Sequence, residues 1–408
     1  MFDPYSLRKD FPMLNGKTMQ GHPLVFLDNS STTLKPYKVI EAIDDYYNNS
    51  TSNSHRGDYD LCAAMDKKIE ETRKAVASFI NSEQKEIVFT TGTTESLNMI
   101  AKSFAGKYLH EGDEIILSEA EHASNLLPWF EVAKEKNLSI IFAPLENGRV
   151  TVESVLKIIS PKTKLISLAH VTNVLGYELD VKRLCKEAHQ RNILVSIDGA
   201  QSVPHLKTDV KDLDCDFLSF SAHKMCGPTG VGVLYAKYDL LQKMDVFKTG
   251  GGMNVKFYKD TTAIYLDAPM KFEAGTLNLA GICGLLATIN YLNSVGMENI
   301  HKYEIELRKY AISELMKLDN IIIYNKDATS GIIAFNIKDV FAQDAATYLN
   351  SKGVACRSGQ HCAKILNPVI NTIATIRASF YFYNTKEDID ALVKAVKEGG
   401  NYLDAYFI

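Results

Sequence analysis

From about residue 20 to residue 290 the chain alternates short apolar runs with amphipathic stretches, and this alternation restricts it to an α/β architecture. The readable runs are EIVFT (86–90), EIILS (114–118), SIIFAP (139–144), KLISLAH (164–170), ILVSID (193–198), DFLSFS (216–221) and GVLYA (232–236). Their length and their polar boundaries are those of buried strands. Between several of them lie helical patterns such as VKRLCKEAHQRN, with apolar positions three and four residues apart. Strands separated by helices predict a largely parallel sheet. Ligands of such sheets bind beyond the carboxyl ends of the strands, so the residues that follow each run are the candidates for chemistry.

After about residue 290 the texture changes. A helical segment, MENIHKYEIELRKYAISELMKL, precedes IIIYN, GIIAFNI, an amphipathic stretch, the loop GVACRSGQHCAK, the strand-like ATIRASFYF and the helical KEDIDALVKAVKEGG. The expectation is a large α/β domain over 20–290 and a smaller α+β domain over 291–408, with 1–19 packing against the smaller one. A net charge of −4 gives no reason to expect nucleic acid or an anionic membrane as partner. No apolar run approaches the roughly 20 residues that cross a bilayer, and MFDPYSLRKDFPML lacks the layout of a signal peptide. A cytoplasmic protein is expected. The seven cysteines are scattered and form no CxxC pair, which argues against a disulfide framework or a zinc site.

Five strand ends carry polar groups. TTGTTES (90–96) places a glycine turn and hydroxyls before a helix, where backbone N–H groups and the helix dipole favour a phosphate; the same threonines also fit as helix caps. Asp198 closes an apolar strand, a costly position unless the carboxylate meets a partner. A protonated pyridine nitrogen would be such a partner and would make the ring an electron sink; a turn cap is the simpler alternative. Lys224 follows DFLSFSAH and precedes a Gly-Pro-Thr-Gly turn. Burial near another cation would make it a competent Schiff-base amine, whereas a solvated lysine at a loop mouth is the ordinary case. Ser221 and His223 stand beside it as phosphate ligands. His122 and Asn173 close two further runs. Together these groups match the requirements of pyridoxal phosphate.

In order along the chain, TGTTES, EHASNLLPW, HVTNVLG, DGAQSVPH, SFSAHKMCGPTGVGVLY, EAGTLN, CRSGQHCAK and RASFYFYN resemble the cysteine desulfurases among fold-type I pyridoxal-phosphate enzymes. The resemblance extends from FLDNSSTTLKP to RASFYFYN. RSGQHCA is similar to the RSG-x-HCA of the group II branch, which holds SufS-like desulfurases and selenocysteine lyases, rather than the SSGSAC of the IscS- and NifS-like group I. The resemblance implies that Lys224 binds the cofactor covalently, Asp198 pairs with the pyridine nitrogen and His122 stacks on the ring. It places Gln201 and Asn173 at the phenolic oxygen, and Thr93, Thr94, Ser221 and His223 at the phosphate with Thr276 of a second subunit. Arg377 would bind the substrate carboxylate, for which a planar guanidinium fork is suited, with Arg357 and His55 lining the same pocket. The family pattern departs to DNSST from DNAAT, to EAGTLN from EAGTPN and to Gln360 from histidine, changes expected to affect local loop shape only.

Cys362 is singled out by its own surroundings too. Arg357, His361 and Lys364 make its loop cationic, a setting that raises the reactive thiolate fraction, whereas Cys356 in the apolar GVAC reads as core. The implied activity converts L-cysteine to L-alanine, holds the sulfur as a persulfide on Cys362 and passes it to an acceptor of SufE or SufU type for iron–sulfur cluster assembly, within a homodimer. Selenocysteine lyase is the nearest alternative. A non-catalytic sulfur relay would have lost Lys224 or Cys362, and an aminotransferase or β-eliminating lyase has no use for Cys362.

Overall fold

The computed structural model describes residues 2–54, 57–399 and 402. All seven predicted runs join one sheet: β1 (Ile87–Thr90), β2 (Glu114–Ser118), β3 (Ser139–Ala143), β4 (Thr163–Ala169), β5 (Leu194–Asp198), β6 (Phe217–Ser221) and β7 (Gly232–Ala236), in the order β1-β7-β6-β5-β4-β2-β3. The pairings among β2 to β6 are parallel. Only β7 runs the other way, antiparallel to both β6 and β1. The reason is local: β6 reaches β7 through the turn that holds Gly227–Gly230, without the helical crossover that a parallel neighbour needs.

Every residue of β1, β6 and β7 is buried, as expected of a sheet covered on both faces. Alternate side chains serve opposite cores. Ile87 and Phe89 join the cluster that packs on helices Asp60–Phe79, Val181–His189 and Leu279–Val295. Val88, between them, joins Leu97, Trp129 and Val132 on the other face. The helix Leu279–Val295 runs through the expected division near residue 290 and ends at Gly296, whose φ of 88° turns the chain into helix Met297–Leu315.

A second, antiparallel sheet follows: β8 (Ile321–Ile323), β9 (Ile332–Ile337), β10 (Arg357–Gly359) and β11 (Thr375–Ser379), ordered β8-β9-β11-β10. Residues of helices Met297–Leu315, Ala342–Ser351 and Lys386–Glu398 share its core. The expected loop GVACRSGQHCAK is therefore partly strand. Val354–Ala355 pairs in parallel with Val25–Phe26, and Arg357–Gly359 pairs with β11. This pairing carries Val25 and Leu27 into the second core, leaves Phe26 against the first, and sets Asp28 beside Ser379 of β11. The first residues touch both regions. Arg8 donates to Asp388 at 2.8 Å and to the Tyr383 carbonyl at 3.0 Å, and Phe11 packs on Tyr291 as well as Tyr383. Among the described residues no single helix is long and apolar enough to cross a membrane, and no cluster of three or more His, Cys, Asp or Glu could hold a metal ion.

Candidate active site

The carboxyl ends of β1, β2, β4, β5 and β6 converge with loops of the second sheet on one cavity of about 260 Å³. At one end lie hydroxyls and a backbone turn. The Thr93 N–H donates to Ser221 Oγ at 2.8 Å, and the two hydroxyls share a second hydrogen bond of 2.8 Å. Thr94 and Ser124 share another at 2.8 Å. This turn lies against β7 only because Gly232 lacks a side chain: a Cβ there would stand 2.4 Å from Gly92 Cα.

In the middle of the cavity Asp198 is 5% exposed, and one of its oxygens accepts the Ala200 N–H at 2.9 Å. Burial raises its carboxyl, while Lys224 and the Ala200 N–H favour the charged form. Lys224 sits on the short turn Ala222–Lys224, where burial brings its amine down to about 8 against the pull of Asp198. Burial, together with the positive charges of Lys224 and Arg377, lowers His122 to about 4. Its ring is therefore neutral near pH 7, and its Nδ1 accepts the Ser124 N–H at 3.1 Å. His223 is lowered to about 4 by burial and by Lys224 and Lys35. Asn173 donates to the His361 carbonyl at 2.8 Å and Gln201 to the Ser30 carbonyl at 2.7 Å. The single side-chain oxygen of each, Asn173 Oδ1 and Gln201 Oε1, is buried without a partner among the described residues.

The far end is cationic. Arg377, on β11, is 2% exposed; it donates to the Asn173 carbonyl and to Ser31 Oγ, both at 2.7 Å, and lies 3.4 Å from Asp28. Arg357 stands opposite it on β10 and pairs with the same Asp28 at 3.1 Å. Cys362 is exposed, and it and His361 are consecutive left-handed residues, with φ of 57° and 48°. The loop is tied down by its carbonyls. That of Cys362 accepts the Ala123 N–H at 2.7 Å, and that of His361 accepts from Asn173.

Thus Thr93, Thr94, His122, Asn173, Asp198, Gln201, Ser221, His223, Lys224, Arg357, Cys362 and Arg377 all line this cavity. Thr276 does not: it is exposed, donates to Asn53 at 3.3 Å and borders a separate pocket with Thr91, Glu95 and Lys248. His55 lies outside the described residues.

The aminotransferase class-V family matches residues 25–392. A probable cysteine desulfurase of Halalkalibacterium halodurans is 43% identical over 99% of both chains. The chain belongs to the cysteine desulfurases of the class-V aminotransferase family. Among solved structures, the cysteine desulfurase CsdA of Escherichia coli, described as the S-sulfonic acid, is 37% identical with a TM-score of 0.91, over 99% of each chain. A C-DES mutant with glycine covalently linked to its PLP cofactor shares the fold at 21% identity, with a TM-score of 0.83 over 96% of this chain and 99% of that one.

Several residues in and behind the cavity of this cysteine desulfurase are not marked by the strand ends of the first sheet. Asp28 and Ser31 hold the two arginines, so the departure to DNSST does more than shape a loop: the Ser31 hydroxyl accepts from Arg377 and donates to Asp28 at 2.7 Å. His361 lines the cavity with Nε2 on the Thr375 carbonyl and hydroxyl. Behind His122, Glu121 is 1% exposed and accepts from Ser118, the Ala169 N–H and Asn125. It thereby ties together the ends of β2 and β4. The signal that marked Asp198, an acid just after an apolar strand, marks Asp28 and Glu121 as well.

Burial raises the Glu121 carboxyl to about 7, over the opposing effect of its hydrogen-bond donors. A carboxyl raised on folding contributes stability that is complete below its ordinary value and is lost as pH rises through about 7. Relative to Glu121→Gln, which cannot ionise, the parent chain is expected to lose about 3 kcal/mol across that window. Urea unfolding of both proteins across the window checks this; parallel pH profiles refute it.

Proposed function

We propose that Lys224 carries the cofactor and Cys362 receives the sulfur in this pyridoxal-phosphate-dependent cysteine desulfurase. The enzyme converts L-cysteine to L-alanine and holds the sulfur as a persulfide for transfer. The observation that carries the residue assignment is one cavity lined by the buried Asp198, by Lys224 and by an exposed cysteine.

The cavity fits the cofactor. Thr93, Thr94, Ser221 and His223 offer a phosphate end, Asp198 a carboxylate for the pyridine nitrogen, and the neutral His122 a flat face. The unpartnered oxygens of Asn173 and Gln201 lie in the wall and can accept a hydrogen bond from the bound group. When bound, pyridoxal phosphate withdraws electrons from the substrate's α-carbon. Arg377, oriented by Ser31 and the Asn173 carbonyl, binds the substrate carboxylate in bidentate fashion, and Arg357 adds a second cation. Lys224, with an amine near 8, takes and returns the proton at the α-carbon. Cys362 Sγ attacks the substrate sulfur; the S–S bond forms as the carbon–sulfur bond breaks. The carbon skeleton keeps that electron pair, regains protons at both carbons and leaves as alanine. L-cysteine and one thiol thus yield alanine and one persulfide, with no external oxidant.

Within the family, RSGQHCA supports the group II, SufS-like branch, a SufE- or SufU-type acceptor and a role in iron–sulfur cluster assembly. Thr276, remote from its own cavity, supports a homodimer in which it completes the partner's phosphate site. Seven free thiols suit the reducing cytoplasm. Selenocysteine lyase is the second reading, favoured by the same RSGQHCA. Holoenzyme given L-cysteine and L-selenocysteine in parallel separates them. Desulfurase function requires alanine and a Cys362 persulfide from L-cysteine in equal amounts, whereas turnover of the selenium substrate alone assigns the lyase. Sedimentation of the same preparation should give a dimer; a fully active, fully loaded monomer refutes the place given to Thr276.

A further inference from the structure

The backbone carbonyl of His223 belongs to the peptide bond that leads into Lys224, and it is approached by four donors from a single distant segment. These are the Thr33 N–H at 3.0 Å, the Thr32 hydroxyl at 3.0 Å, the Thr33 hydroxyl at 3.1 Å and the Lys35 ammonium at 3.0 Å. The Thr33 hydroxyl also accepts the Cys226 N–H at 2.7 Å, so the segment grips the turn on both sides of Lys224. A carbonyl oxygen has two lone pairs; four donors around it exceed what ordinary satisfaction of a buried group demands.

Lys35 is the unusual member. Among the described residues its ammonium donates only to the carbonyls of Thr33 and His223 and to the Thr32 hydroxyl. None of these is a carboxylate. Burial brings it down to about 8, with only the neighbouring Cys226 opposing. A cation held among neutral oxygens loses hydration that it does not regain from an opposite charge. A packing role would be filled as well by leucine or methionine without that loss. What a cation adds is a hydrogen bond stronger than a neutral one, aimed at the peptide that sets the direction of the Lys224 side chain.

We propose that Lys35 is a positioning residue for Lys224, clamping the His223–Lys224 peptide so that the Lys224 amine returns to one place after each turnover. Lys224 must leave the cofactor when substrate enters and come back when product leaves. A fixed backbone shortens that search, because a small misplacement of a reacting group lowers the rate steeply. Thr32 and Thr33 set the direction of the carbonyl, and Lys35 holds it against the movement of the side chain. This inference rests on the reading of Lys224 as the cofactor lysine.

The test compares Lys35→Met, which keeps the apolar stem, with Lys35→Arg, which keeps a cationic donor. Borohydride trapping followed by peptide mapping of the parent holoenzyme first shows whether the pyridoxyl group sits on Lys224; if it sits elsewhere, the underlying reading fails. With that established, cofactor-stripped protein is reloaded and the rise of the trapped Lys224 peptide is followed in time. Lys35→Met is expected to slow this recapture and kcat about tenfold, with KM for L-cysteine within about twofold of the parent. Lys35→Arg should recover most of the recapture rate. Recapture at the parental rate in Lys35→Met overturns the proposal. So does an equal loss in both variants accompanied by an equal fall in melting temperature, which marks a structural role only.

Discussion

Holoenzyme carrying Cys362→Ser should still change its absorbance when L-cysteine is added, yet release neither alanine nor sulfide. The groups proposed to meet the cofactor, Lys224, Asp198 and the hydroxyl end around Thr93 and Ser221, are untouched by the substitution. The loop is held through the carbonyls of His361 and Cys362, bonds that a serine keeps, so its position is expected to survive as well. What is lost is the nucleophile, since a hydroxyl attacks sulfur poorly without strong activation. Desulfuration should fall on the order of a thousandfold or more. L-selenocysteine should retain turnover, because the carbon–selenium bond breaks more readily and its leaving group is a weaker base. Sulfide or alanine formed from L-cysteine at the parental rate by the serine variant refutes Cys362 as the acceptor.

Lys224→Ala should remove activity on both substrates. Among the described residues the cavity holds no second amine: His122 and His223 are neutral rings, and Arg357 and Arg377 are engaged with Asp28. A loss on the order of a thousandfold or more is expected, with cofactor retained weakly through the hydroxyl end. Borohydride treatment of the parent should leave the pyridoxyl group on the Lys224 peptide. Full activity in the alanine variant, or the label on another lysine, overturns the assignment. The two substitutions also fail at different steps, Lys224→Ala at proton transfer from the α-carbon and Cys362→Ser at sulfur transfer, so spectra distinguish them.

The first sheet was legible because its strands are short, apolar and buried, so pattern and burial agree in all seven. The direction of β7 was not marked by its composition, which suits either orientation; the turn before it decides. The cavity was legible where a polar residue sits directly after a strand, as at Asp198 and Lys224, both of which line it. It was less so where a long-range pairing delivers the residue. Asp28 and Ser31 reach the arginines because Val25–Phe26 pairs with Val354–Ala355, a contact across most of the chain that no local pattern records. Glu121 is hidden in the sequence for a different reason: EHASN sets an acid and a histidine side by side, and only the burial that raises the acid to about 7 distinguishes it.

Because Cys362 borders the cavity and is also open to solvent, one sulfur atom answers to two surroundings. With Cys362 as the proposed sulfur acceptor, the side from which a carrier would collect its load also admits peroxide, and thiols exposed in this way climb from sulfenic to sulfinic and sulfonic acid, the last two steps without ordinary return. The sulfonic acid described for CsdA is the end of that ladder. An enzyme built this way is protected by haste rather than by shelter: the shorter the interval between loading and collection, the less often its sulfur meets an oxidant. On that proposal, shortage of a carrier would cause permanent inactivation as well as slow turnover.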